Sequence, residues 1–286
     1  MQPMADKYAR GQFIELDGRR THYIESGEGE PLILLHGFFY DSYLWHHNID
    51  ALSKHFKVYA LDLWGCGYST REMQDFGYPL YAEQLRLFMD AKGIDAAALM
   101  GQSMGGGTAM KFCLQHPERV TAMVLVDAAG LPNKIPFSAK ILNLPKVGEF
   151  LLGLETDNFR RDALTEFFIS DAAKVTDEYY ENAIRHHKIE GSLPVYMTIQ
   201  RKQFFDKLAD EIPQVGKLNK PTLIVWGGND KAISRQHGER LHAALPGSEF
   251  VVYETAGHVP NYEEAEQFNT LSVKFLQKIH SEVCAV

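Results

Sequence analysis

Polar and apolar positions alternate along the chain in blocks that read as a regular series of elements. Two short alternating runs, Gln12–Leu16 and Arg19–Glu25, flank Asp17-Gly18, a dipeptide that tolerates left-handed backbone and joins antiparallel strands in a tight turn. Continuous apolar runs follow at Pro31–Leu35, Lys57–Leu61, Ala96–Met100, Thr121–Val126, Pro221–Trp226 and Glu249–Tyr253, each of strand length and bounded by turn residues. Strands apolar on both faces belong in a buried parallel sheet. Amphipathic stretches lie between them, at Pro79–Lys92, Met104–His116, Ser234–Leu245 and Glu263–Ile279. This β-α-β-α rhythm predicts an α/β protein with a mostly parallel, twisted sheet of about eight strands and helices on both faces.

The rhythm breaks in the middle. Residues 131–215 offer no convincing strand, while Phe150, Leu151, Leu154, Phe167, Phe168, Tyr179 and Tyr180 recur at helical spacing. The expectation is a sheet core built from residues 1–130 and 216–286, with 131–215 inserted as a helical cap or lid. Most of the insertion's aromatics are expected to bind its helices to one another.

Composition narrows the classes of function. The 286 residues are 45% hydrophobic and 23% charged with a net charge of −8, which fits a globular domain and argues against nucleic acid, whose phosphates call for clustered Lys and Arg. No apolar run reaches the roughly 18 residues of a membrane span, so an integral membrane protein is not expected. The N-terminal stretch MQPMADKYARGQF has neither an apolar core nor a small-residue cleavage site, which predicts a cytoplasmic location. Cys66, Cys113 and Cys284 are odd in number and widely spaced, and read as reduced thiols without a disulfide framework or zinc site.

The candidate chemistry starts at Gly101-Gln102-Ser103-Met104-Gly105, where an apolar strand passes straight into a helical pattern. A Gly-x-Ser-x-Gly turn between strand and helix is a nucleophile elbow, which presents the serine hydroxyl at the sheet edge. A serine hydroxyl needs a base, and the base an oriented partner. Asp230 follows the strand Pro221–Trp226 and His258 follows Glu249–Tyr253, so acid and base also fall past strand ends. Asp127, past Thr121–Val126, and Glu254 compete with Asp230 for the acid's place. The doublets His46-His47 and His186-His187 raise the question of metal, but neighbours on a helix point apart and no ligand set accompanies them, so a solvated surface is expected.

Across nearly its whole length the chain resembles the α/β-hydrolase fold superfamily. The resemblance rests on the elbow and on LLHGFF (Leu34–Phe39), DLWGCGYS (Asp62–Ser69), WGGND (Trp226–Asp230) and GHVPNYEEAEQFN (Gly257–Asn269), in the family's order. It implies the triad Ser103, Asp230 and His258, an oxyanion hole made by the backbone N–H groups of Phe38 and Met104, and a supporting role for His36 beside the oxyanion loop. Asp62, Gly65 and Gly67 would shape the turn after their strand, and Cys113 would be core.

The reading is a serine hydrolase, carboxylesterase- or lipase-like, that cleaves a small apolar carboxylic ester through an acyl-enzyme with no metal or organic cofactor. Two alternatives stay open. Carbon-carbon bond hydrolases of the meta-cleavage type use the same three residues but resemble a small, Gly-rich oxyanion loop, where this chain has Phe38-Phe39-Tyr40. A ligand receptor could keep the triad and signal through its lid. Haloalkane dehalogenases and epoxide hydrolases fit poorly, because they place an aspartate where Ser103 stands. Acyl preference and oligomeric state are not legible.

Overall fold

The computed structural model describes residues 7–132, 140–141, 143–153, 160–162, 164–202 and 208–284. The N-terminal hexapeptide and Leu154 lie outside the described residues, as does the side chain of Cys284. Eight strands form one sheet: β1 Gln12–Leu16, β2 Arg19–Ser26, β3 Pro31–Leu35, β4 Lys57–Leu61, β5 Ala97–Gln102, β6 Val120–Val126, β7 Thr222–Gly227 and β8 Glu249–Tyr253. Their order is β1-β2-β4-β3-β5-β6-β7-β8, antiparallel through β1, β2 and β4 and parallel from β4 onward. The β1–β2 hairpin turns at Asp17 (φ 51°) and Gly18 (φ 70°), both left-handed as a tight type I′ connection requires.

Helices α1 Tyr78–Lys92, α2 Met104–Gln115, α3 Val147–Gly153, α4 Asp177–Ile184, α5 Ser192–Arg201, α6 Ile212–Lys217, α7 Arg235–Ala244 and α8 Ala265–Cys284 complete the frame. Pro79 opens α1 with a preset φ, and Gly93 closes it in the left-handed conformation, its N–H on the carbonyls of Asp90 and Met89. The C-terminal helix begins at Ala265, two residues later than its apolar period suggests, because residues Pro260–Glu263 form a separate helical turn.

Alternate residues of each central strand feed two cores. Ile33, Leu35, Leu99, Leu125 and Ile224 face α1, α2 and α7, where they meet Leu85, Phe88, Phe112 and Leu241. Leu32, Leu34, Met100, Val124 and Val225 face Trp45, Phe268, Phe275 and Leu276 on the other side. A fully buried side chain of this size contributes about 1.5–3 kcal/mol, so both faces must be covered for the sheet to persist. The apolar run of β8 is only partly covered, since it is an edge strand with Glu249 exposed and the rest half-buried.

Among the described residues, the stretch between β6 and β7 contains helices and no strand. Its apolar residues divide: Tyr179 and Tyr180 are buried, whereas Phe150 is 66% exposed and Leu151 and Phe167 are also open to solvent, so these three do not bind helices together.

Candidate active site

From β3 the chain runs to β4 on one side and later crosses to β5 on the other. The loops after β3 and β5 therefore meet at the point where strand order reverses, which is where open α/β sheets form a crevice. Ser103 follows β5 directly and takes φ 51°, ψ −115°, a strained conformation for a residue with a side chain. Its N–H donates to the Val126 carbonyl at 2.9 Å and its own carbonyl receives Gly107 and Ala129, so the turn is held from both flanks. The elbow needs its glycines for space. A Cβ on Gly101 would lie 2.4 Å from the Gly105 carbonyl oxygen, and one on Gly105 would lie 2.1 Å from that of Leu35.

Asp230 and His258 lie past the ends of β7 and β8, and both are buried. The Nδ1–H of His258 donates to Asp230 Oδ2 at 2.7 Å, while Asp230 Oδ1 accepts the N–H groups of Ala232 and Ile233 at 2.8 and 2.9 Å. That arrangement fixes the carboxylate and leaves Nε2 as the ring's free nitrogen. Gln102, the neighbour of Ser103, donates its amide to the His258 carbonyl at 2.8 Å, tying the serine turn to the histidine loop. A Cβ on Gly37 would lie 3.0 Å from that of Ser103, so the backbone that leads into Phe38 passes beside the serine, and Met104 opens α2 on its other side.

The other two candidate carboxyls have different partners. Glu254 is exposed and pairs with Arg235. Asp127 is fully buried, and its Oδ1 accepts the Gly227 N–H at 2.9 Å. Burial first, and then the neighbouring Asp230 charge, push the Asp127 carboxyl well above the ordinary carboxylate range. Ligand atoms of Asp127, Asp230 and His258 lie within 4.8 Å of one another, close enough to hold a cation. Their contacts are turned on each other, however, with His258 Nδ1 spent on Asp230 and Asp230 Oδ1 on backbone.

His36 is fully buried and bridges two loops, accepting the Leu63 N–H on Nε2 at 3.0 Å and donating from Nδ1 to the Gly37 carbonyl at 2.8 Å. Asp62 accepts Ser42, Tyr68 and the His22 ring, and a Cβ on Gly67 would collide with it, so this carboxylate shapes its turn. Burial pushes the Cys66 and Cys113 thiols up to about 12 and about 11, leaving both inert.

The histidine doublets correct the expectation of a solvated surface. His186 is fully buried, with Nδ1 on the Tyr196 hydroxyl at 2.7 Å. His187 donates from Nε2 to the Phe39 carbonyl at 2.8 Å, and burial pushes it down to about 4, so it is a neutral donor. In the first doublet His46 is half-buried, stacked on Tyr43, and only His47 is exposed. Burial depends on how the insertion docks, which local spacing does not encode.

An aromatic wall surrounds these groups. Phe38 and Phe39 pack at 4.1 Å between ring centroids, Tyr196 approaches them at 5.9 and 5.8 Å, and Phe168 lies 6.4 Å from Phe39 and 5.6 Å from the His258 ring. Tyr196 and the role of Gln102 went unnoticed in the sequence, which marks them only as a helical aromatic and the variable position of the elbow, and His187, weighed there as half of a metal-like doublet, is placed instead on the Phe39 carbonyl.

Strand order, elbow and loop placement together define an α/β hydrolase, and residues 30–265 match that family. The chain belongs to the alpha/beta hydrolase fold family. It is 31% identical to a 2-hydroxy-6-oxononadienedioate/2-hydroxy-6-oxononatrienedioate hydrolase of Paraburkholderia phymatum, over 90% of this chain and 91% of that one. It is also 31% identical to the dihydrolipoyllysine-residue acetyltransferase component of the acetoin cleaving system of Cupriavidus necator, over 95% of this chain and 70% of that one. A solved meta-cleavage product hydrolase from Pseudomonas fluorescens superposes with a TM-score of 0.82 at 28% identity, covering 94% of this chain and 98% of the other. Among the described residues, no helix is long and apolar enough to cross a membrane.

Proposed function

We propose that this protein is a serine hydrolase that cleaves carboxylic esters through an acyl-enzyme. The observation that carries the reading is the 2.7 Å contact between His258 and Asp230 at the same sheet edge where Ser103 sits in a strained strand-to-helix turn. His258 takes the Ser103 proton on Nε2 as Oγ attacks the carbonyl carbon, and Asp230 holds the imidazole in the required tautomer. The backbone N–H groups of Phe38 and Met104 receive the developing oxyanion. His258 then returns the proton to the departing alkoxide, and water, deprotonated by the same ring, releases the acid. The substrate is a small apolar ester, its acyl part laid against Phe38, Phe39, Phe168 and Tyr196. Arg71 spends its guanidinium on the Ser192 hydroxyl and the carbonyls of Cys66, Ser69 and His186.

A second reading, hydrolysis of a carbon-carbon bond next to a ketone, is favoured by the dienedioate hydrolase and the meta-cleavage product hydrolase among the similar proteins. One experiment separates the readings: p-nitrophenyl esters of increasing acyl length assayed beside 2-hydroxy-6-oxo-6-phenylhexa-2,4-dienoate. A higher kcat/KM on an ester supports the first, and a higher value on the dienoate assigns the second. No turnover of either favours the receptor. Ser103→Ala should abolish whichever activity is found, by about 10⁴-fold; an active Ser103→Ala protein refutes both enzymatic readings.

A further inference from the structure

Glu263 is a buried carboxylate without a part in the chemistry above. It ends the helical turn Pro260–Glu263, five residues beyond His258, and is 5% exposed. Its two oxygens serve different segments. Oε1 accepts the Gly257 N–H at 2.7 Å, immediately before His258, while Oε2 accepts the N–H groups of Ser170 and Asp171 at 2.9 and 3.2 Å, both in the insertion. Alongside, the His258 N–H donates to the Phe168 carbonyl at 2.7 Å. The Lys174 ammonium sits on the Glu263 carbonyl, and the Tyr262 hydroxyl donates to the Lys174 carbonyl at 2.6 Å. Gly257 permits the close approach, since a Cβ there would lie 2.6 Å from the Phe168 carbonyl oxygen.

The same short strap carries Phe168, whose ring stands between His258 and Phe39. One side chain thus fastens a wall of the pocket to the loop of the base. Burial raises the Glu263 carboxyl above its ordinary value, and the three backbone donors pull it back down, which is the price of keeping acceptor oxygens inside the protein. An apolar residue would fill the space but deprive the buried Gly257 N–H and the part-buried N–H groups of Ser170 and Asp171 of this acceptor.

We propose that Glu263 is a positioning residue, whose carboxylate clamps residues 168–171 of the insertion onto the Gly257-His258 loop and so sets the imidazole and the Phe168 wall in one geometry. This rests on the reading of His258 as the base. Glu263→Gln keeps the shape but replaces one acceptor oxygen with an NH₂ group that confronts backbone donors, so one side of the clamp opens.

The test uses the full chain with p-nitrophenyl butyrate at a temperature well below unfolding, and the far-downfield proton resonance of His258 Nδ1–H. The expected result for Glu263→Gln is kcat lower by about tenfold or more with a smaller change in KM, because small misplacement of a catalytic group is costly. The downfield resonance should move or broaden. A purely structural latch would lower the melting temperature while leaving kcat within about twofold and the resonance in place, and that result overturns the proposal. Should Glu263→Gln not fold, Glu263→Asp, which keeps both oxygens but draws them back, is read by the same criteria. Ser103→Ala separates the two layers: if it stays active, the assignment of the base has failed, whereas a displaced His258 resonance in Glu263→Gln still reports the clamp.

Discussion

Acidification should destabilise this protein partly through one identifiable ring. His187 donates from Nε2 to the Phe39 carbonyl at 2.8 Å, and burial pushes its pKa down to about 4. In the unfolded chain the same imidazole titrates near 6.5. Between those values the unfolded state holds more protons than the folded state, so stability is complete above about pH 6.5 and is lost as the pH falls toward 4. At about pH 4.5 the unfolded ring is almost fully charged and the folded ring about a quarter charged, which by linkage removes about 2–3 kcal/mol relative to pH 7.5. Other groups titrate in the same range: burial holds His46 down to about 4, while burial and Asp62 push Asp41 up to about 8, the opposite sense. The informative quantity is therefore a difference between two proteins. His187→Gln keeps an N–H donor for Phe39 and does not titrate. Urea unfolding at both pH values should show the wild type losing about 2–3 kcal/mol more than His187→Gln on acidification. Equal losses in the two proteins would refute a buried, neutral His187 at this position.

Asp230→Asn should lower kcat on the best ester by about 10⁴-fold, whereas Asp127→Asn, whose Oδ1 accepts the Gly227 N–H while Asp230 holds the His258 ring, should stay within about tenfold; the reverse ranking would move the acid to Asp127. Phe38→Ala keeps the main-chain donor and should retain kcat with an altered KM, while Phe38→Pro deletes the N–H and should lower kcat by about 10² to 10³. The Phe38 pair is compared only on protein with unchanged circular dichroism, and a wild-type kcat in folded Phe38→Pro places the oxyanion hole elsewhere. Gly105→Ala directs a methyl at the Leu35 and His36 carbonyl oxygens, at 2.1 and 2.8 Å, and should cost about 3 kcal/mol or more, read as a lowered melting temperature or loss of folded protein.

The sheet was legible because its information is local. Continuous apolar runs, Asp17-Gly18 and the helix periods each declare themselves within a few residues, and all eight strands appear where those patterns lie, four at the expected bounds and four shifted by one or two residues at one or both ends. The placement of Ser103, Asp230 and His258 at one edge was legible for a related reason. In a parallel sheet every strand's C-terminal end faces the same way, so residues just past strand ends converge without any knowledge of side-chain contacts. Asp127 shares that property, and what distinguishes the two carboxyls is their partners, the His258 ring for Asp230 and the Gly227 N–H for Asp127.

What stayed hidden depends on docking between distant segments. The His187 contact with Phe39 spans 148 residues and the Ser170 contact with Glu263 spans 93, and no periodicity records either. The histidine doublets show where local reasoning stops. Adjacent residues on a helical turn point in different directions. The same geometry says nothing about whether the surface they face is water or protein. Here one ring meets Tyr196 and the other the carbonyl of Phe39 in the loop that follows β3. Residues between β6 and β7 thus touch the loop that follows β3 through the His187 ring and the His258 loop through backbone groups of 168–171. A change in how the insertion packs would therefore reach both halves of the site at once, without altering any of the motifs by which the sequence announces them.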